Sequence, residues 1–249
     1  MKSPINPYLQ RIASIVGEQD TSRALQAFIG NRRGARESLD ALACKLGVSR
    51  IIEEKLPFEG GLFQLADREL VIKLNAESSF VRKRFTLAHE IGHLLLKTVP
   101  ALRSTRRTDQ ALERTCDLVA AELLMPTAEA VDFVRGLGPP APETLRVIAS
   151  KYEVSLRTAA IRVHEDFKLW KTSIGFWELR PRTRTVWFVG PRRWDMTEPD
   201  SYSLELALSA SKTVRTSELW RRGVFTDPVW LDLLHIGSSR VLGLVAFVN

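Results

Sequence analysis

Between Phe85 and Leu96 the chain reads Phe-Thr-Leu-Ala-His-Glu-Ile-Gly-His-Leu-Leu-Leu, a stretch too apolar for a protein surface that still holds two histidines and a glutamate. From Phe80 to Lys97 the only glycine is Gly92, and Ser78 or Ser79 is available as a cap, so the spacing predicts one long helix. A helix this apolar is buried, and polar atoms buried with it need partners. His89 and His93 stand four residues apart and share one helix face, where two imidazoles can bind one metal ion. Glu90 follows His89 directly, close enough to hold and deprotonate a water at such an ion. Gly92 costs the helix about 1 kcal/mol, which implies that another element passes close by.

A catalytic zinc site needs a third protein ligand and one open position. Asp109 to Met125 reads as the next long helix, stopped by Pro126, and it offers Glu113, Cys116, Asp117 and Glu122. Glu113 and Asp117 are four apart and share a face. We assign Glu113 as the third ligand and Asp117 as the acceptor of a histidine's second ring N–H, a bond that fixes the tautomer. Glu122 returns to a similar angular sector but lies about two and a half turns further along, so it and Glu113 cannot readily bind one ion. Cys116 is on an adjacent face. It reads first as a small core residue and second as an alternative ligand.

Around these helices the pattern changes several times. Residues 1–57 read as helical, with segments at Ile5–Val16, Ser22–Ile29 and Ser38–Gly47, and a restart at Val48 that runs toward Leu56 and stops at Pro57. Gly60-Gly61 opens a hairpin of two short strands, Leu62–Leu65 and Glu69–Leu74. Residues 100–107 form a basic loop. A helix from Thr127 to Arg135 leads to the Gly- and Pro-rich break at 136–142. Two helices follow, Glu143–Tyr152 and Ser155–Phe167. Past Trp170 the segments Thr172–Leu179, Thr185–Val189 and Val241–Val248 read as strands. Ser203–Ala210 and Glu218–Arg222 read as helical. The boundary falls near 168–172, giving a first domain over 1–170 and an α+β module over 171–249.

The run Arg82-Lys-Arg-Phe-Thr-Leu-Ala-His-Glu-Ile-Gly-His-Leu-Leu resembles the active-site helix of the ImmA/IrrE metallopeptidases. Glu113-Arg-Thr-Cys-Asp-Leu-Val-Ala-Ala-Glu-Leu-Leu-Met-Pro126 resembles that family's second signature, and the likeness covers roughly residues 36–166. It departs in having Cys116 where the family often has Ala, and Val119 where it often has Phe. The resemblance implies a mainly helical, zincin-like α+β fold with a hairpin and a helix-turn-helix-like helix pair at 143–167. It implies a gluzincin-like site with His89, His93 and Glu113 as ligands, Glu90 as base and Asp117 behind a histidine. The metal is expected to be Zn2+, with Mn2+ as the alternative. The implied function is metal-assisted cleavage of a helix-turn-helix transcriptional repressor, which would switch on stress-response or mobile-element genes. Arg82, Arg84, Tyr152 and His164 are oxyanion-stabilising candidates by residue type, and the hairpin is a candidate to hold substrate as an added strand.

Composition narrows the setting. Two cysteines, Cys44 and Cys116, suit a reducing compartment, and no run approaches twenty uninterrupted apolar residues. A cytoplasmic protein that does not engage membranes is therefore expected. The formal charge is +7, and residues 168–249 hold 12 basic against 8 acidic residues. That balance keeps a rival reading open, direct DNA binding through helix-turn-helix-like pairs. Leu42-Ala-Cys-Lys-Leu-Gly-Val-Ser49 resembles the turn of such a pair, and residues 148–155 echo it with Glu153 in place of the glycine. After Ser49 come Glu53 and Glu54, which would face a polyanion. After Ser155 the run is mildly basic, so 143–166 is the better candidate. A scaffold that binds without cutting has little need of Glu90 between two histidines. The tail's aromatics, Phe176, Trp177, Trp187, Phe188, Trp194, Trp220 and Trp230, read as core.

Overall fold

A computed structural model describes residues 38–66, 68–98, 109–179, 183–190, 199–222 and 225–247. The helices expected at 5–16 and 22–29, the basic loop 100–107, and Trp194 lie outside them. The described chain is mixed α+β and divides into two compact units. One comprises residues up to Ala130 together with Tyr152–Ser155, and the other comprises Val131–Lys151 and everything from Leu156. No helix among the described residues is long and apolar enough to cross a membrane.

In the first unit, α1 (Leu39–Lys45) starts at Ser38, whose hydroxyl accepts from the Ala41 amide at 3.1 Å. Gly47 ends it with φ +91, a left-handed conformation that glycine adopts at little cost. The next residues form a strand, β1 (Val48–Glu54), where the sequence suggested a helix toward Leu56. Val48, Ile51 and Ile52 are β-branched, and seven residues make a poor isolated helix. What decides the outcome is a distant partner. β1 pairs in parallel with β3 (Leu70–Asn75), with Ile51 opposite Ile72. Arg50 grips Glu69 through two hydrogen bonds of 3.0 and 2.9 Å, and Lys73 meets Glu54 at 2.7 Å. The helix-turn-helix reading of residues 42–49 therefore fails, because no second helix follows the turn. β2 (Gly60–Gln64) pairs antiparallel with the other side of β3, giving a sheet in the order β1-β3-β2.

Two long helices, α2 (Phe80–Thr98) and α3 (Asp109–Leu124), complete this unit. They touch at Gly92. A Cβ built there would stand 3.2 Å from the Cys116 Cα and 3.3 Å from its carbonyl oxygen, so a side chain at this crossing would press on the α3 backbone. Ala88, Ile91 and Leu95 of α2 and Cys116, Val119 and Ala120 of α3 are buried, as are Ile72 and Leu74 of the sheet.

The helical stretch continues with α4 (Thr127–Gly136), α5 (Pro142–Tyr152) and α6 (Leu156–Ile161). Glu153, between α5 and α6, takes φ +51 where a glycine would be easier. Beyond Ile161 the helix widens into a π-helical turn, Arg162–Asp166. There Arg162 is wholly buried, pairs with Asp166 at 3.1 Å and lies over the Phe167 ring at 4.5 Å. The second unit also holds a five-stranded antiparallel sheet, ordered β5-β4-β8-β7-β6. Its strands are β4 (Ser173–Leu179), β5 (Thr183–Val189), β6 (Val214–Arg222), β7 (Phe225–Gly237) and β8 (Arg240–Phe247), with α7 (Ser201–Ser209) between β5 and β6.

Residues 218–222 are strand, not helix. Their pairing with β7 sets Ser217 opposite Trp230 and Leu219 opposite Pro228, and it overrides a helical-looking composition. β7 gave no strand signal because it contains Pro228, which lacks an amide hydrogen. In β7 it stands opposite Leu219 of β6. One sheet face and α7 close over Trp177, Leu204, Ala207, Trp220, Val229, Leu231, Leu233, Val241 and Val245. The Trp177 indole occupies space left by Gly175 and Gly243, where an added Cβ would come within 2.2 and 2.6 Å of it. Trp177 and Trp220 meet edge to face, with centroids 6.4 Å apart.

Replacing Trp177 by Ala is expected to cost about 3–5 kcal/mol. Leu219, which is 71% exposed, should lose no more than about 0.5 kcal/mol on truncation. Urea titration of both variants checks this, and equal losses would refute the assigned core.

Candidate metal centre

The middle of α2 is buried through Leu87, Ala88, Ile91, Leu94, Leu95 and Leu96, which draws His89, Glu90 and His93 in with it, and α3 meets it across Gly92. That crossing places Glu113 and Asp117 opposite the two imidazoles. The His89 Nε2 atom lies 3.1 Å from His93 Nε2 and 3.0 Å from Glu113 Oε2. Glu113 Oε1 is 3.4 Å from His93 Nε2. On the far side of the first ring, His89 Nδ1 is 2.9 Å from Asp117 Oδ1. With a carboxylate as partner, Nδ1 carries the hydrogen and donates it, which leaves a lone pair on Nε2. Three electron-rich sites then face one another: two ring nitrogens and a carboxylate. Such a convergence is repulsive unless a proton or a cation sits among them. Nitrogen and carboxylate oxygen are a donor set suited to zinc, and the residues fit a divalent metal ion.

The environment moves the titrating groups. Burial pulls the His89 pKa down, but the Asp117 hydrogen bond and the charges of Asp117, Glu90 and Glu113 outweigh it, leaving the ring above its ordinary 6.5. For His93, burial and the neighbouring His89 charge win, and its pKa falls below 6.5 despite Glu113. The Glu90 carboxyl is raised above 4.5, first by burial, against the pull of His89, and with Glu113 adding to the rise.

Glu90 is also tied to the sheet, since the Leu62 amide of β2 donates to its carboxylate. The strand geometry explains how. Asn75 N donates to Glu59 O and Leu65 N donates to Glu69 O, so the odd-numbered residues of this segment turn toward β3. The even-numbered ones, Gly60, Leu62 and Gln64, turn their backbone groups to the open edge, because pairing alternates sides. Among the described residues that edge of β2 bears no further strand, and it runs past Glu90. Nothing in the local sequence of α2 announces this contact. Lys97, whose charge lowers the pKa of both Glu90 and His93, could have been found from its spacing of four from His93.

The structure brings His89, Glu90, His93, Glu113 and Asp117 together. Cys116 joins them: its Sγ and one ring nitrogen from each histidine all lie within 4.8 Å of one another. Glu122 does not join them. It is buried and accepts from the Thr127 amide at 3.0 Å and the Thr127 hydroxyl at 2.6 Å, fixing the start of α4. Among the oxyanion candidates, Arg82 pairs with Glu59 at 3.3 Å and Arg84 with Glu153 at 3.1 Å. Tyr152 is buried in the same unit, and His164 belongs to the other unit.

Residues 44–164 match the family model described as an IrrE N-terminal-like domain. The chain is 34% identical over 103 residues to the radiation response metalloprotease IrrE of Deinococcus radiodurans, covering 39% of this chain and 31% of that one. It is 36% identical over 102 residues to the protein of the same name from Deinococcus deserti, covering 38% and 36%. The chain thus spans about a third of the length of these curated relatives. Among solved structures, a Mycobacterium tuberculosis transcriptional regulator resembles it over 98% of this chain and 82% of that one, with TM-score 0.55 at 13% identity. That likeness is one of fold alone.

In the metal-free protein His89 is expected to titrate above 6.5 and His93 below it. Because the folded His89 pKa is raised, its contribution to stability is complete below the unfolded value and is lost as pH rises through the folded value. Asp117→Asn should move the His89 midpoint down. Imidazole NMR shifts followed against pH test this, and an unmoved midpoint would remove Asp117 as the ring's partner.

Proposed function

We propose, from the premise that this chain belongs to the ImmA/IrrE family of metalloproteases, that it is a metal-dependent endopeptidase acting on a helix-turn-helix transcriptional repressor. The observation that carries the reading is the convergence of the His89 and His93 ring nitrogens with the Glu113 carboxylate, beside a buried Glu90. In this reading His89, His93 and Glu113 hold the ion, zinc by preference and manganese as the alternative. Asp117 orients His89 and raises its basicity. A bound divalent ion supplies Lewis acidity, polarising the scissile carbonyl and lowering the pKa of water toward about 7.

The chain's own groups do the rest. Glu90, with a pKa raised by burial, takes the proton from the attacking water and delivers it to the leaving amine. The Leu62 amide holds that carboxylate in place. The open edge of β2 accepts the substrate backbone as an added strand and aligns the scissile bond with Glu90. Residues 1–170 make up the catalytic part and 171–249 an accessory α+β module. Cleavage of a repressor would release the genes it silences, in a cytoplasmic stress-response or mobile-element circuit.

Metal analysis of the wild type, Glu113→Gln and Glu90→Gln tests the site. We expect about one equivalent of metal in the wild type, as for a single zinc site with three protein ligands, with much weaker binding in Glu113→Gln. Glu90→Gln should keep its metal while peptide hydrolysis falls about 10²–10⁴-fold. Mass spectrometry of a helix-turn-helix repressor incubated with metal-loaded protein reads the cut. A metal-supplied wild type that binds none would overturn the enzyme reading.

A further inference from the structure

The face of β2 turned away from α2 carries an aromatic ridge. Side chains along a strand alternate faces. Gly60 marks the face turned to α2, since a Cβ there would stand 2.8 Å from the Thr86 Cγ2 atom. Leu62 follows on that face, and Gly61 and Phe63 take the other. The Phe63 ring leans back over Gly61: a Cβ on that glycine would meet it at 3.2 and 3.4 Å. Phe58, 46% exposed, stands beside it with ring centroids 6.4 Å apart, and Leu65, just past the strand, is exposed as well. The Lys73 Nζ atom, paired with Glu54 at 2.7 Å, lies 5.6 Å from the Phe63 centroid and helps hold the ring. Apolar side chains along a strand edge are a hazard unless a partner covers them.

Resting on the peptidase reading and its added substrate strand, we propose that Phe63 and Phe58 form a specificity subsite, which takes a large apolar side chain from the substrate residue next to the one level with Leu62.

Strand pairing defines the occupant. A residue paired opposite Leu62 shares its face and turns toward α2 and Glu90, whose carboxylate the Leu62 amide holds. The residues before and after it turn to the other face, opposite Gly61 and Phe63. Gly61 offers no side chain of its own, so the residue opposite it meets the Phe63 ring lying there. Cross-strand partners have Cβ atoms about 4.5–5.5 Å apart. A leucine, isoleucine or phenylalanine side chain fills that span against an aromatic ring, and a serine does not. Backbone pairing holds any extended segment, and this contact chooses among segments.

A synthetic peptide library randomised at every position, incubated with the metal-loaded full-length protein and read by mass spectrometry, tests the subsite. The wild type should cut with leucine, isoleucine or phenylalanine enriched at one fixed offset from the broken bond. A peptide with leucine there should exceed its serine counterpart in kcat/KM by about 10–200-fold. Phe63→Ala should bring the two peptides near parity, and Phe63→Leu should restore most of the difference. Phe63→Arg should shift the preference at the same offset to aspartate and glutamate. Leu219→Ala, in the other unit, should leave the preference unchanged. If Phe63→Ala does not fold, Phe58→Ala, a truncation at an exposed position, carries the comparison and should lower the ratio. Cleavage with no apolar preference at any offset, or with that preference intact in both alanine variants, would overturn the subsite and leave the peptidase reading standing. A metal-loaded wild type that cuts no peptide would overturn both.

Discussion

The candidate centre depends on two helix backbones touching where one residue has no side chain. Gly92 brings α2 within van der Waals range of the Cys116 backbone of α3. Across that crossing Glu113 reaches both imidazoles and Asp117 reaches His89. A methyl group at position 92 would press on backbone atoms, which cannot rotate away, and would widen the crossing. The cost of a glycine inside a helix, about 1 kcal/mol, is a small local loss set against the assembly of the whole donor set.

From that contact the electrostatics follow in order. Asp117 takes the His89 Nδ1 hydrogen, so Nε2 presents its lone pair toward His93 and Glu113. Burial keeps Glu90 and His93 away from their ordinary ionisation, one raised and one lowered, and each is also biased by its neighbours' charges. The sheet contributes through its backbone and not through a side chain. The Leu62 amide, turned outward by strand alternation, fixes Glu90 beside an open strand edge. The arrangement combines a clustered donor set, a partly buried base and a strand edge within one unit.

Much of this was legible in the sequence because it is local. Four-residue spacing is enough to place His89 with His93 and Glu113 with Asp117, and the apolar run from Phe85 to Leu96 is enough to bury α2. What escaped depends on partners far along the chain. Residues 48–54 are extended because β3 lies beside them, and Gly47 turns the chain out of α1 before any helix can resume. Residues 218–222 and the Pro228-bearing β7 are strands by mutual pairing, with no strong alternation of their own. The Leu62 contact to Glu90 needs the register of β2 against β3, which no single segment encodes. The spacing keeps Glu122 away from Glu113's ion but says nothing of its role, holding Thr127 at the start of α4, which the turn at Pro126 sets.

The central claim is that the ring nitrogens of His89 and His93 and the carboxylate of Glu113 hold one divalent ion next to Glu90. Anomalous diffraction from a crystal of the zinc-supplied protein, recorded on both sides of the zinc absorption edge, addresses it most directly. The predicted result is a single strong anomalous peak about 2.0–2.2 Å from both His Nε2 atoms and a Glu113 oxygen. A peak elsewhere on the chain, or none between α2 and α3 in zinc-supplied crystals, would contradict it.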